Sequence, residues 1–252
     1  MLVYDETGST LAAAVTESFI RVQEANRMEG KRFSPHLWWN DLKEAAAYLK
    51  NEKGLLNIFT YMSVTNGVAT GNSPIVIAFF RTAPGFSIAM YSFFAVVEFA
   101  GRSLGGLLRY TVKIPEKRRF SFAFFIYQCY DSMDAALLWL PYPLMLINRA
   151  VCGFLGINSA TLRQAAVQSY IPEEYRSRIN AFEGILYVLT AGVLTLLIGA
   201  LGEVLDYRWC MTVGGLFCVA FCLATVWRNR AHVRNVYNRS TELEAAPTAP
   251  EP

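Results

Sequence analysis

Six stretches of this chain are each long and apolar enough to cross a bilayer, and that pattern constrains its fold more than any other feature. A membrane hydrocarbon core takes about 20 mostly apolar residues per helix. Such blocks run over residues 55–80, 86–108, 120–140, 142–170, 179–205 and 209–227. Lipid offers no hydrogen-bond partner to a peptide group, so blocks of this kind predict helices. Gly and Pro fall inside several of them, Pro74 among them, which predicts tilt and local kinks. With 54% apolar and 14% aromatic residues among 252, the expected class is an all-α, polytopic integral membrane protein.

The basic residues alternate from one connection to the next. Lys31, Arg32, Lys43, Lys50 and Lys53 precede the first block, and Arg109, Lys113, Lys117, Arg118 and Arg119 follow the second. Arg176 and Arg178 follow the fourth, and Arg228, Arg230 and Arg234 follow the sixth. The remaining connections hold only Arg81 and Arg208. Lys and Arg in short loops mark the cytoplasmic side. Both termini are therefore expected in the cytoplasm, with the chain in the cytoplasmic membrane. The overall net charge of +3 says less than this placement.

The flanks read differently from the blocks. Over residues 34–54, Ser34 and Pro35 give a start signal, and Leu42, Ala45, Ala46 and Leu49 recur at helical spacing with Lys on the other side. This predicts an amphipathic surface helix with Trp38 and Trp39 at headgroup level. Residues 1–33 read as a cytoplasmic linker-like segment whose opening, "LVYDETGST", lacks the basic start and apolar run of a signal peptide. Residues 55–230 form the expected six-helix domain. Residues 231–252 form a cytoplasmic tail, and its end, "STELEAAPTAPEP", has little to bury and is expected to be disordered. Cys129, Cys152, Cys210, Cys218 and Cys222 lie in apolar blocks without metal-site spacing, as buried free thiols would.

Two connections carry a further pattern. After the second block stands "R-Y-x-x-x-I-P-x-K-R-R", preceded by Gly105 and Gly106, and after the fourth stands "P-E-E-Y-R-S-R-I-N-A". With a surface helix followed by six spans, this resembles the C-terminal half of a major facilitator superfamily transporter. The resemblance covers about residues 33–238. The superfamily's loop motif then falls on Gly105, Gly106, Arg109, Lys117, Arg118 and Arg119. Its usual Asp is absent, since Arg109 or Tyr110 stands in that place. "EYRSRINAFEG" looks like the entry to the eleventh helix of drug-efflux-like members. Complete members have twelve spans in two six-helix halves, each half built as two three-helix repeats, with substrate between the halves near the midplane. The resemblance therefore implies half of a secondary transporter working by alternating access. The chain would be a truncated or split coding sequence, a half that pairs with an N-terminal half, or one member of a homodimer.

Charges inside the blocks are the candidate working residues, because each costs about 2.5 to 3.5 kcal/mol at the bilayer centre and seeks a partner or a water cavity. Glu98 and Arg102 stand four apart, on one helix face. Two roles remain open for them: a pair that pins helix packing or a gate, or a pair that couples protonation or substrate to movement. Gly101 and Gly105 form G-x-x-x-G beside them, and Gly67 and Gly71 form another, a spacing that lets helix backbones approach closely. Asp131 and Asp134 lie about one turn apart in the third block, with Arg149 of the fourth as a candidate partner. Glu183 is expected to pair with Arg176 or Arg178. The resemblance implies that the first and fourth blocks line the transport path. Its polar candidates are Thr65, Asn66, Asn72, Asn148, Asn158, Ser159 and Gln164.

Other functions fit poorly. His36 and His232 both lie outside the blocks, so an intramembrane serine protease lacks its base and a haem its axial ligand. "YD" at Tyr130 and Asp131 has no G-x-G-D to make an aspartyl protease, and no phosphate-binding Gly-rich loop occurs. No enzyme activity, cofactor, metal or nucleic-acid partner is expected. The expected partners are the bilayer, a small solute, and an N-terminal half or a second copy. The alternative is a non-transporting orphan or partner half that assembles with or regulates another transporter chain.

Overall fold

The computed structural model describes residues 35–111 and 114–238, and among them every regular element is helical. The helices are α1 (Pro35–Asn51), α2 (Lys53–Thr82), α3 (Ile88–Thr111), α4 (Arg119–Ala136), α5 (Tyr142–Tyr170), α6 (Glu173–Val204), α7 (Tyr207–Cys222) and α8 (Arg230–Tyr237). A π turn, Leu223–Trp227, extends α7. Residues 1–34 and 239–252, which include the linker-like segment expected over 1–33 and the end of the tail expected over 231–252, lie outside the described residues.

The chain divides into two compact units, residues 1–45 and 46–252. Of the first, residues 35–45 are described, and they form the opening turns of α1, with the Lys43 ammonium 5.7 Å from the centre of the Trp39 ring. The second unit holds α2 to α8.

Local chemistry explains where its helices stop and start. Gly85 adopts φ of 81°, a left-handed turn between α2 and α3 that a side chain would resist. Pro141 precedes α5 and Pro172 precedes α6, where a fixed φ and a missing N–H suit a helix start. Glu173 and Glu174 then place negative charge in the first turn of α6, against its positive dipole end. The Asp206 carboxylate caps α7 by accepting from the Arg208 amide at 2.9 Å. Pro74 is carried within α2, which continues to Thr82.

The most extensive packing joins α2 to α6, α3 to α5, and α4 to α7, and α2 also meets α7 while α4 meets α5. At the end bearing the α2–α3 link, Phe79, Phe80, Phe94, Leu137, Leu138 and Met145 form a buried core. The outer surface is apolar: Phe99, Leu196 and Val204 are 72%, 76% and 83% exposed. A water-facing bundle would not tolerate so many such residues, whereas lipid requires them.

Three helices, Tyr142–Tyr170, Glu173–Val204 and Tyr207–Trp227, are long and apolar enough to cross a membrane by length and composition. The other three expected spans coincide with α2, α3 and α4, whose apolar character is diluted by polar residues such as Asn66 and Asn72, Glu98 and Arg102, and Asp131 and Asp134.

Candidate functional site

Four of the charges expected inside the membrane gather where α3, α4 and α5 meet. Glu98 Oε1 accepts from Arg102 Nη2 at 2.6 Å, the same-helix pair expected from their spacing. Glu98 Oε2 also lies 3.9 Å from Arg149 Nη1 of α5. The Arg149 guanidinium in turn donates to the carboxylate of Asp134 on α4, one of the two acids for which it was the candidate partner. One buried cation thus faces carboxylates from two other helices. Its Cζ sits 5.5 Å from the centre of the Phe94 ring, and its Nε has no hydrogen-bond partner among the described residues. Arg102, by contrast, has a side chain 56% exposed.

Asp131 turns elsewhere. It is 3% exposed and accepts from the Tyr61 hydroxyl of α2 at 2.8 Å. Three positions along a helix are about 60° apart around its axis. The two acids therefore address different neighbours, α2 and α5, each with its own donor.

Glycines allow these helices to meet. A Cβ on Gly101 would collide with the Ala150 carbonyl, and one on Gly153 with the Glu98 carbonyl. One on Gly105 would stand 2.7 Å from the Phe154 carbonyl oxygen. Backbone therefore lies on backbone along α3 and α5, and the carboxylate of Glu98 is held at the level of Arg149.

The expected path residues divide by burial. Asn66 and Gln164 are exposed, whereas Asn72, Asn148, Asn158 and Ser159 are buried. Asn158 donates to the carbonyls of Gly105 at 3.3 Å and Phe154 at 2.8 Å, and Asn148 donates to Met133 O at 3.0 Å. These are bonds between and along helices. Asn72 stands near Gly214, with its Oδ1 buried and without a hydrogen-bond partner among the described residues.

Asn66 opens onto a cleft of about 250 Å³ between α2 and α6, lined also by Met62, Ser63, Asn180, Glu183, Gly184 and Tyr187. The Arg163 guanidinium of α5 contacts the Met62 sulfur at its edge. Glu183 therefore lines this cleft, while Arg176 donates to the Ile171 carbonyl at 3.4 Å.

Of the loop motif, Gly105 is buried under α5 and Gly106 would admit a Cβ freely. Lys117 and Arg118 are exposed, and Arg119 lies 3.5 Å from Glu116. The side chain of Arg109 lies outside the described residues. Among the described residues, no group of three or more His, Cys, Asp or Glu could hold a metal ion.

Sequence reasoning undervalued Arg149, named only as a partner for Asp131 and Asp134, and passed over Arg163 and Tyr61. A charge inside an apolar block was the available signal for both arginines. Tyr61 had none, because a tyrosine in an apolar block reads as packing.

Comparison with curated proteins gives no match, and comparison with solved structures gives none. Residues 133–250, from the end of α4 through α8 and beyond, match the family model of the Major Facilitator Superfamily, a match that supports a fragment of a transporter of that superfamily.

Proposed function

We propose that the chain is the C-terminal half of a secondary active transporter, a six-span bundle of two three-helix repeats that moves a small solute by alternating access. The observation carrying this reading is the packing pattern. Exchanging α2, α3 and α4 for α5, α6 and α7 turns the α2–α6 contact into α5–α3, leaves α4–α7 unchanged, and turns α2–α7 into α5–α4. Paired repeats of this kind are how secondary transporters build their halves. The placement of Lys and Arg supports both termini in the cytoplasm, with the α2–α3, α4–α5 and α6–α7 links outside.

In this reading an N-terminal six-helix half, or a second copy, covers the exposed faces of α2 and α5 and encloses the solute. Glu98 is the mobile member of the charged group. It lies between a buried guanidinium, Arg149, and an exposed one, Arg102, and can strengthen one contact as it loosens the other.

Flux into liposomes tests the proposal. The chain co-reconstituted with an N-terminal half is expected to transport, and the chain alone to do so only as a homodimer. Glu98→Gln is expected to lower transport by the assembled carrier more than it lowers membrane insertion. Equal losses of both assign Glu98 a packing role alone. Absence of flux in every assembly supports a non-transporting partner half.

A further inference from the structure

Helix α8 is amphipathic, and its apolar side is already occupied by protein. Val233, Val236 and Tyr237 are 0–1% exposed. The Tyr237 and Tyr127 hydroxyls are 2.5 Å apart, and Asn229 Nδ2 donates to Asn57 Oδ1 at 3.2 Å. The Asn238 side chain accepts from the Phe120 amide at 3.2 Å and donates to the Lys117 carbonyl at 3.3 Å. The backbone of Gly54 lies so close to α8 that a Cβ there would stand 2.6 Å from the His232 carbonyl oxygen. Burial, with Tyr127 beside it, pushes the Tyr237 phenol well above its usual pKa, which keeps this anchor neutral. A helix this short does not persist alone in water, so these ties fix its position.

What α8 turns outward is positive charge. Arg230 and Arg234 stand one turn apart and are exposed, as is Arg228 just before them. Asn238 closes on the α3–α4 link, so the end of α8 lies beside exposed Lys117 and Arg118. Over residues 114–119 and 228–238 the sole acid is Glu116, which lies 3.5 Å from Arg119. Like charges at this spacing on one helix repel one another, a cost that an anion offsets. The depth is marked by Trp227, 43% exposed, with the Arg230 guanidinium 4.8 Å from the centre of its ring. An indole at the end of a span sits among lipid headgroups.

We propose that α8 and the α3–α4 link form a docking surface for anionic phospholipid headgroups. The proposal rests on the orientation given above, since it needs this end of the bundle at a membrane–water interface. The headgroup phosphate and its net negative charge meet a rigid array of guanidinium and ammonium groups. A zwitterionic headgroup has no net charge to match them.

The test is selective lipid retention by the full chain. Protein reconstituted into mixed phosphatidylglycerol and phosphatidylcholine is extracted, and the lipids that remain bound are counted by native mass spectrometry. The wild type is expected to keep phosphatidylglycerol preferentially. A cation near an anionic surface contributes about fivefold in partition, so the R228Q/R230Q/R234Q variant is expected to lose about tenfold or more of that preference. The R228K/R230K/R234K variant is expected to keep it, which separates lost charge from lost folding. Arg81→Gln, at the opposite end, is expected to change nothing. Equal retention of the two lipids by the wild type, or an unchanged preference in the Gln variant, overturns the proposal. Flux does not enter the readout, so this surface and the transport reading can fail separately.

Discussion

The α3–α5 and α2–α6 seams correspond under the helix exchange, and both rest on a G-x-x-x-G motif, yet they are built from different material. Along α3–α5 the glycines face backbone: Ala150 and Phe154 carbonyls oppose Gly101 and Gly105, and the Glu98 carbonyl opposes Gly153. Along α2–α6 the nearest atoms are side-chain ends, a Leu194 methyl 2.8 Å from a Cβ on Gly67 and an Ile198 methyl 2.8 Å from one on Gly71, while the backbones of Ala191 and Thr195 stand farther off, at 3.3 and 3.2 Å. Methyl ends can swing, whereas a helix backbone can move only as a whole. The first seam also carries the Glu98, Arg149 and Asp134 group, and the second opens into the Asn66 and Glu183 cleft. The same sequence motif thus brings backbone against backbone more closely at one seam than at the other.

The largest expected effect comes from removing the cation at the α3–α5 seam. Arg149→Met leaves Asp134 and Glu98 facing a site without its charge, a loss of about 3 to 5 kcal/mol for a broken buried pair. A large drop in the thermal midpoint of the detergent-solubilised protein checks it. An unchanged midpoint would show that the charge group does not hold these helices together.

Next comes a pair of glycine substitutions that compares the seams directly. Gly153→Ala would drive its Cβ into the Glu98 carbonyl and is expected to cost about 3 kcal/mol, the upper part of the usual overpacking range. Gly67→Ala is expected to cost about 1 kcal/mol, because Leu194 can shift and the Ala191 backbone, at 3.3 Å, has only a few tenths of an ångström to give. Equal losses in chemical denaturation would remove the distinction between the seams. The smallest effect is expected for Arg102→Gln. Glu98 keeps the Arg149 guanidinium 3.9 Å away when this contact is lost, so the change in stability should be smaller than at either seam. Only transport should register it.

Much of this was legible in the chain. Apolar block lengths anticipated the helices, and the structure puts Gly85, Pro141 and Pro172 at their limits, where backbone geometry does not depend on tertiary context. The Glu98–Arg102 pair followed from helical spacing alone. Other features were not legible, because periodicity gives the face of a residue but not the helix opposite it. Asp131 and Asp134 read as two neighbouring acids, and only packing sends one to Tyr61 and the other to Arg149. G-x-x-x-G announced close approach without saying whether backbone or methyl groups would meet it. Helix α8 was hidden within a basic stretch expected to be part of the tail. Eight residues form a helix there because Val233, Val236 and Tyr237 find a bundle to dock on.

The central claim is that α2 to α7 all cross the membrane, with alternate links on opposite sides. Single cysteines in a Cys-free background, labelled in intact cells by an impermeant reagent, test it most directly. Positions Ala83, Pro141 and Asp206, in the links α2–α3, α4–α5 and α6–α7, are predicted to label from outside. Glu116, Pro172 and Asn229 are predicted to label only after permeabilisation. External labelling at Glu116, or protection at Ala83 until the cells are opened, would contradict the six-span bundle.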